Sequence, residues 1–311
     1  MPAPTSPPPP PARAAASYGD LLFRLLCQSA GGFVLLIAFA LVGVLVWQAR
    51  PFLFGSNPTQ LFTSSNWDPG KGHYGALVFI YGTVASAFIA MAVAVPLGVG
   101  AAAYLSEIAT GRLRKICSFL LELLAAIPSV VYGFWGIEFL ARRGTRPFFD
   151  WLGLENTAAG QGILAAGLVL AVMVLPYITA VSYDVCQAVP RSQREGSLAL
   201  GATRWQTIWH VVLPNSISGI LTGVILQVSR AAGETAPILF TGAAFYLPFL
   251  PRGVGDQCMA LSMHLFTIST QVPNVPPEIP YGTALVLLFV VLAVNATSIV
   301  IRTRLRRRRK W

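Results

Sequence analysis

Six stretches of this chain are long and apolar enough to cross a lipid bilayer, and nothing else in the sequence limits the fold as strongly. A hydrocarbon layer of about 30 Å is spanned by roughly 20 residues of helix. The runs lie at about 29–48, 78–104, 118–140, 162–182, 216–242 and 283–301. The expected fold is therefore all-α, a polytopic membrane protein with about six transmembrane helices. Charge usage agrees with that reading, because 11% of the residues are charged where soluble domains carry about a quarter.

Orientation follows from Lys and Arg. With the amino terminus inside, the segments on that side hold fifteen of the 22 basic residues and the opposite loops hold six. The positive-inside rule then places both termini in the cytoplasm. Seven basic residues crowd the end of the chain, from Arg302 to Lys310, and read as a cytoplasmic anchor facing anionic lipid headgroups rather than as a nucleic-acid site. Residues 1–26 form a Pro/Ala-rich cytoplasmic tail; its first 16 residues carry one charge, Arg13, and are expected to be disordered. Residues 27–50 make the first span, a retained signal anchor. An outer loop occupies 51–77, the five-helix core 78–301 and the basic tail 302–311. Arg142, Arg143 and Arg146 cluster in an outer loop, either as solvated surface or as a positive mouth for anions.

Cys27, Cys117, Cys186 and Cys258 are scattered, and so are His73, His210 and His264. No disulfide framework, metal set or cofactor site is read from them. Pro96, Pro128, Pro176 and Pro237 fall in four consecutive spans, where each removes a backbone donor and tends to kink its helix. Bent helices of this kind suit a pathway through protein.

The connection between the fourth and fifth spans, residues 188–214, carries clear local signals. Ser192 and Glu195 have capping-box spacing, so a helix is expected to start after Ser192, with Gly201 as its left-handed terminator. Thr203 and Gln206 make a second box and predict another helix that ends before Pro214. Trp205, Ile208, Trp209 and Val212 fall on one face of it. Such a face covers the protein's own core, the membrane surface or a partner.

The order Glu195, Gly201, Val211, Leu213, Pro214 resembles the coupling loop of ABC importer permeases, with Gly196 and Ser197 in place of that loop's usual two alanines. Residues 79–83 (Phe-Ile-Tyr-Gly-Thr), 124–133, 188–192 and 230–235 (Arg-Ala-Ala-Gly-Glu-Thr) are similar to permeases of the phosphate-specific (Pst) transport system. The first half, with Ser65-Asn66-Trp67-Asp68-Pro69, looks PstC-like, and residues 236–242 with the following outer loop look PstA-like. The resemblance implies a type I ABC importer permease fold in a bacterial inner membrane. It also implies ATP-binding cassette ATPase subunits docked through Glu195, Gly201, Leu213 and Pro214, a second permease homologous or identical to this one, and an outer phosphate-binding protein. No nucleic-acid partner is expected. The chain has no G-x-x-x-x-G-K-[ST] loop, so ATP hydrolysis falls to a partner and no catalytic residue is assigned.

Arg230 and Glu234 stand four residues apart inside the fifth span. Each charge there costs about 2.5–3.5 kcal/mol on insertion scales and is expected to face protein or a water-filled cavity. Two accounts fit the pair. One is an ion pair that orders the bundle; the other has Arg230 offering its guanidinium to a passing phosphate while Glu234 holds it. The resemblance implies the second. Ser129, Tyr132, Tyr177, Thr179 and Ser229 are further polar candidates for the path, while Glu107, Glu122 and Glu138 read as contacts at helix ends or between helices. Gly82 is expected to allow close helix approach. A permease for sulfate or molybdate would keep the loop and depend less on the Arg-Glu pair. A passive channel would not need the loop. An intramembrane enzyme would need a nucleophile, a metal motif or facing carboxylates, and none is present at workable spacing.

Overall fold

The computed structural model describes residues 18–54, 62–68, 73–153, 160–242, 247, 250–273 and 275–307. Two compact units result, residues 1–47 and 48–311. The first consists of α1 (Tyr18–Leu53), which continues past the division. Its Leu, Phe and Val side chains are exposed along its length, as suits a helix solvated by lipid. Asp20 in its first turn and Arg50 in its last match the helix macrodipole. The expected tail is thus shorter than 26 residues, since 18–26 are helical; residues 1–17 lie outside the described residues.

In the second unit, a short antiparallel pair, β1 (Trp67–Asp68) and β2 (His73–Tyr74), lies in the segment expected to be plain loop. Next come α2 (Leu77–Glu107) and α3 (Gly111–Ala126). The third apolar run is not one helix. Ile127 is extended before Pro128, as the residue preceding proline prefers, and α3 ends there. The chain restarts as α4 (Ser129–Trp135), passes through a π-helical segment (Gly136–Thr145) into α5 (Arg146–Leu152), and runs at 95° to α3. The basic cluster Arg142, Arg143, Arg146 is therefore helical rather than loop.

The most enclosed long helix is α6 (Ile163–Gln187). It packs most extensively on α2, and the sequence explains the close fit. Thr83, Ala87, Ala90, Ala94, Gly98 and Ala102 recur every three or four residues on α2 and are all buried. A Cβ at Gly98 would stand 2.8 Å from the Ile178 side chain. Small residues at this spacing let two membrane helices approach where lipid gives no hydrophobic drive. The larger side chains of the core, among them Phe79, Leu170, Met173, Ile238 and Met263, gather around this pair.

Beyond α6 come α7 (Arg191–Ala199) and a continuous helical run: α8 (Arg204–Thr207), a π-turn (Ile208–Val212) and α9 (Leu213–Gly233). The expected stop before Pro214 does not occur. The wider turn falls just ahead of this proline, where the missing N–H already interrupts the ladder. The fifth apolar run breaks instead at Glu234, whose backbone is extended, and resumes as α10 (Ala236–Thr241) with Pro237 in its first turn. A helix the sequence did not suggest, α11 (Leu261–Thr270), precedes α12 (Glu278–Arg307), which absorbs residues 302–307 of the basic tail. Among the described residues, five helical runs are long and apolar enough to span a bilayer, and six are if the bent α3–α5 pair counts as one crossing.

Candidate functional site

Arg230 is in the last turn of α9, and Glu234 is the first residue beyond that helix. Their i, i+4 pairing survives the break: Arg230 Nε donates to Glu234 Oε1 at 3.3 Å, with side-chain exposures of 36% and 17%. The Arg230 guanidinium lies over the Tyr177 ring of α6, with Cζ 4.4 Å from the centroid, a cation–π geometry that favours a charge withdrawn from water. The Glu234 carbonyl accepts from the Ser262 hydroxyl of α11 at 2.7 Å, which anchors the broken segment. One residue before Arg230, Ser229 donates to Asn295 Oδ1 on α12.

The bend between α3 and α4 adjoins this site. Where α3 stops, its last carbonyls lose their helical donors. Tyr132 Oη of α4 donates to Leu124 O at 2.6 Å, and Tyr177 Oη donates to Ala125 O at 2.9 Å. Tyr177 thus serves two purposes: its hydroxyl caps the broken span and its face supports Arg230. Sequence reasoning placed Tyr177 among several polar candidates without pairing it to Arg230. Ser129 and Thr179 do not join the cluster; the Thr179 hydroxyl donates back to Leu175 O in its own helix.

At the other candidate site, residues 188–214 fold as the short helix α7 and the start of the α8–α9 run, joined across Gly201, whose φ of +85° is the left-handed value expected of a glycine terminator. The Thr203–Gln206 capping box is present in both directions, at 3.3 and 2.8 Å. The Ser192–Glu195 box is not. Pro190 precedes α7, which starts at Arg191, two residues early, because proline's fixed φ and absent donor suit a helix entry. Ser192 is therefore inside the helix. Glu195 and Gly201 are exposed, while Leu213 and Pro214 are half-buried at the base of α9. The predicted apolar face divides: Ile208 and Val212 are buried, whereas Trp205 and Trp209 are exposed and meet edge to face. With Leu198 and Leu200 they leave an uncovered apolar surface on this loop. None of these loop residues reaches Arg230.

The loop is fastened to the bundle by contacts that sequence spacing did not reveal. Arg194 Nη2 lies 3.0 Å from Glu107 Oε1 at the end of α2 and donates to the Cys186 carbonyl in the last turn of α6 at 2.6 Å. Asn215 Nδ2 donates to Gln193 Oε1 at 2.9 Å, and Ser197 and Thr207 share a hydroxyl bond at 3.0 Å. Elsewhere in the second unit, His264 of α11 is sandwiched between Phe79, stacked at 3.7 Å, and the edge of Trp67. Burial there pushes its imidazole pKa down to about 3. Gly82 does allow a close approach, but of the Met259 backbone rather than of a helix; a Cβ would fall 2.5 Å from Met259 O.

A polytopic all-α chain with bent spans, a charged pair at a helix break and a two-helix loop outside the bundle belongs to the class of membrane permeases. Comparison with solved structures gives the same fold. A bacterial ABC transporter that imports alginate, solved with its alginate pentasaccharide-bound periplasmic protein, matches at a TM-score of 0.62 and 17% identity over 91% of this chain and 95% of that one. The MetNI methionine ABC transporter in an inward-facing form matches at 0.53 and 20% identity over 74% and 94%. Residues 94–311 match the family of binding-protein-dependent transport system inner membrane components, and the chain belongs to that family. Among its relatives, the phosphate transport system permease protein PstC of Xylella fastidiosa strain 9a5c is 34% identical, covering 92% of this chain and 90% of that one. PstC of Pasteurella multocida strain Pm70 is 36% identical over 74% and 75%. The probable ABC transporter permease YqgH of Bacillus subtilis strain 168 is 40% identical over 63% and 62%.

Proposed function

We propose that this chain is a translocating permease subunit of an ATP-driven importer of inorganic phosphate. The observation that carries this reading is the Arg230 site. A guanidinium is held inside a span by Glu234 and Tyr177, at a break between α9 and α10, with about a third of its surface open. Glu234 engages Nε, so the far edge of the guanidinium is the one turned to an oxyanion, which it binds through paired N–H groups. Glu234 fixes the fork and offsets part of its charge. Relatives named PstC match through both halves of the chain, which supports phosphate as the solute and favours a PstC-type subunit despite the PstA-like stretch at 236–242.

Transport needs a motor, and residues 188–214 are its proposed docking site. Glu195 and Gly201 present the loop to ATP-binding cassette ATPase subunits, while Leu213 and Pro214 join it to the α9 run that ends at Arg230. In this reading the pore pairs with a second permease, homologous or identical, and an outer phosphate-binding protein delivers the solute. Both termini lie in the cytoplasm. Closure of the ATPase subunits moves the loops and rocks the helices around Arg230 in alternating access.

The test is ATP-dependent uptake of radiolabelled phosphate into proteoliposomes holding the assembled complex, with sulfate as competitor. Saturable uptake that sulfate leaves intact and that Glu195→Ala abolishes is the expected result. Uptake of sulfate would keep the permease and reject the solute. Phosphate flux indifferent to Glu195 and to ATP would make the chain a passive channel.

A further inference from the structure

We propose that Glu107 and Arg194 form the mechanical joint through which the docking loop drives α2 and α6; the inference rests on reading residues 188–214 as the motor-docking loop. One side chain of α7 touches two other helices. Arg194 leaves α7 and places Nη2 3.0 Å from Glu107 Oε1, the last residue of α2, and 2.6 Å from the carbonyl of Cys186 in the last turn of α6. The carboxylate and the guanidinium are 13% and 19% exposed, so the pair is largely withdrawn from water. An ion pair in that setting is weakly screened and tolerates little play. A cation at a helix C-terminus also meets the negative end of the α6 dipole and one of its last carbonyls.

Two features favour a joint over general packing. First, Glu107 Oε1 and Arg194 Nε are buried without a hydrogen-bond partner. The carboxylate oxygen facing Arg194 is therefore held by charge at short range rather than by an aligned hydrogen bond. Second, beside the buried apolar cluster of Cys186, Val189, Val212 and Ile220, on which Val99 of α2 packs, this pair is the loop's charged tie to α2 among the described residues. The loop's remaining polar ties, Asn215 to Gln193 and Ser197 to Thr207, lead into the α8–α9 run. Without the Glu107–Arg194 contact, α7 would follow α9 and lose its polar grip on α2. Because α2 and α6 pack closely along their lengths, a push delivered at Glu107 and Cys186 moves them as one body. The joint therefore divides the motor's stroke between α9, which carries Arg230, and the α2–α6 pair, which carries Tyr177. Arg194 and Glu107 are positioning residues in this scheme.

The test uses the whole complex with its ATPase subunits. Glu107→Gln alone strands the Arg194 charge and is expected to lower assembly, so the informative variant is the double neutral change Glu107→Gln with Arg194→Gln. Removing both charges of a buried pair spares folding while removing the charge contact. Two readouts are taken from it. One is phosphate imported per ATP hydrolysed; the other is the distance between spin labels at Tyr104→Cys on α2 and Ser192→Cys on α7, with Cys27 and Cys117 replaced by Ser. The wild type is expected to keep one narrow distance with and without ATP. The double variant is expected to assemble normally, hydrolyse ATP within twofold of wild type, import about tenfold less phosphate per ATP and show a broadened distance. A double variant with wild-type coupling and a narrow distance would overturn the joint. The label distance does not depend on the solute, so a complex that carries another oxyanion would fail the phosphate reading while a broadened distance upheld the joint.

Discussion

Arg230→Lys separates charge from shape at the centre of the molecule. Lysine keeps the positive charge beside Glu234 but loses the planar fork and most of the stacking on Tyr177. Uptake is expected to fall at least tenfold with the complex intact, as measured by transport of labelled phosphate; normal uptake would leave the pair only its structural account. Tyr177→Phe makes a finer cut. The ring beneath Arg230 remains while the hydroxyl on Ala125 O is lost, so the variant is expected to lose about 1 kcal/mol of stability and part of its rate. His264 gives a pH-dependent prediction. Its pKa, lowered to about 3 by burial, lies below the usual 6.5, so between those values the unfolded chain binds a proton that the folded chain refuses. Stability therefore declines as pH falls through that window. Thermal unfolding in detergent from pH 4 to 7 should flatten in His264→Phe, and an unchanged slope would remove His264 as the cause. At this scale the sequence points to Arg230 and Glu234 as candidates, because two charges inside an apolar run have no cheap bland placement. Tyr177, Glu107 and His264 acquire meaning only from partners far along the chain, and no local spacing announces them.

Caps and breaks decide the elements. Gly201 sits at φ +85° with open space around it, so Gly201→Ala is strained by backbone alone and is expected to cost roughly 1 kcal/mol. Thr203→Ala removes one arm of an observed capping box at about the same cost. Both should raise amide exchange locally in residues 191–207 without changing exchange in α6, and unaltered loop exchange would contradict the capping argument. The Thr203–Gln206 box was readable because its signal is short-range and nothing outside competes. The Ser192–Glu195 box does not form because Pro190 offers an equally local start two residues earlier. Breaks were harder to read. Pro96 and Pro176 lie inside continuous helices, whereas Pro128 ends one, and the difference lies in what is nearby. Tyrosine hydroxyls reach the carbonyls freed near Pro128, which stabilises the break. The helix α11 escaped notice because ten residues are too few to register as a span and its partners, Phe79 and Trp67, are distant in sequence.

The bent α3–α5 pair governs the topology of the whole molecule. If it crosses the bilayer, there are six crossings, both termini share a side, and α7 lies on that side. If it dips in and returns, everything from α6 onward inverts, and Arg191, Arg194, Arg204 and the basic end of α12 would face outward. The charge distribution favours the crossing. Arg112, Arg114 and Lys115 open α3, and a crossing puts them with the loop and tail cations, whereas a re-entrant pair would split the basic residues between the two faces. The geometry supports the crossing as well. Arg114 is tied by its guanidinium to the carbonyls of Leu105 and Ser106 at the end of α2, so α3 starts where α2 leaves the core, beside Glu107 and α7. Three single cysteines test this in intact cells: Thr110→Cys before α3, Trp151→Cys at the end of α5 and Ser192→Cys in α7. All three positions are exposed in the fold. A crossing pair predicts that a membrane-impermeant maleimide added outside modifies only Trp151→Cys, while the other two react after permeabilisation. Modification of Ser192→Cys from outside would place α7 away from the cytoplasm, and no motor could then reach it.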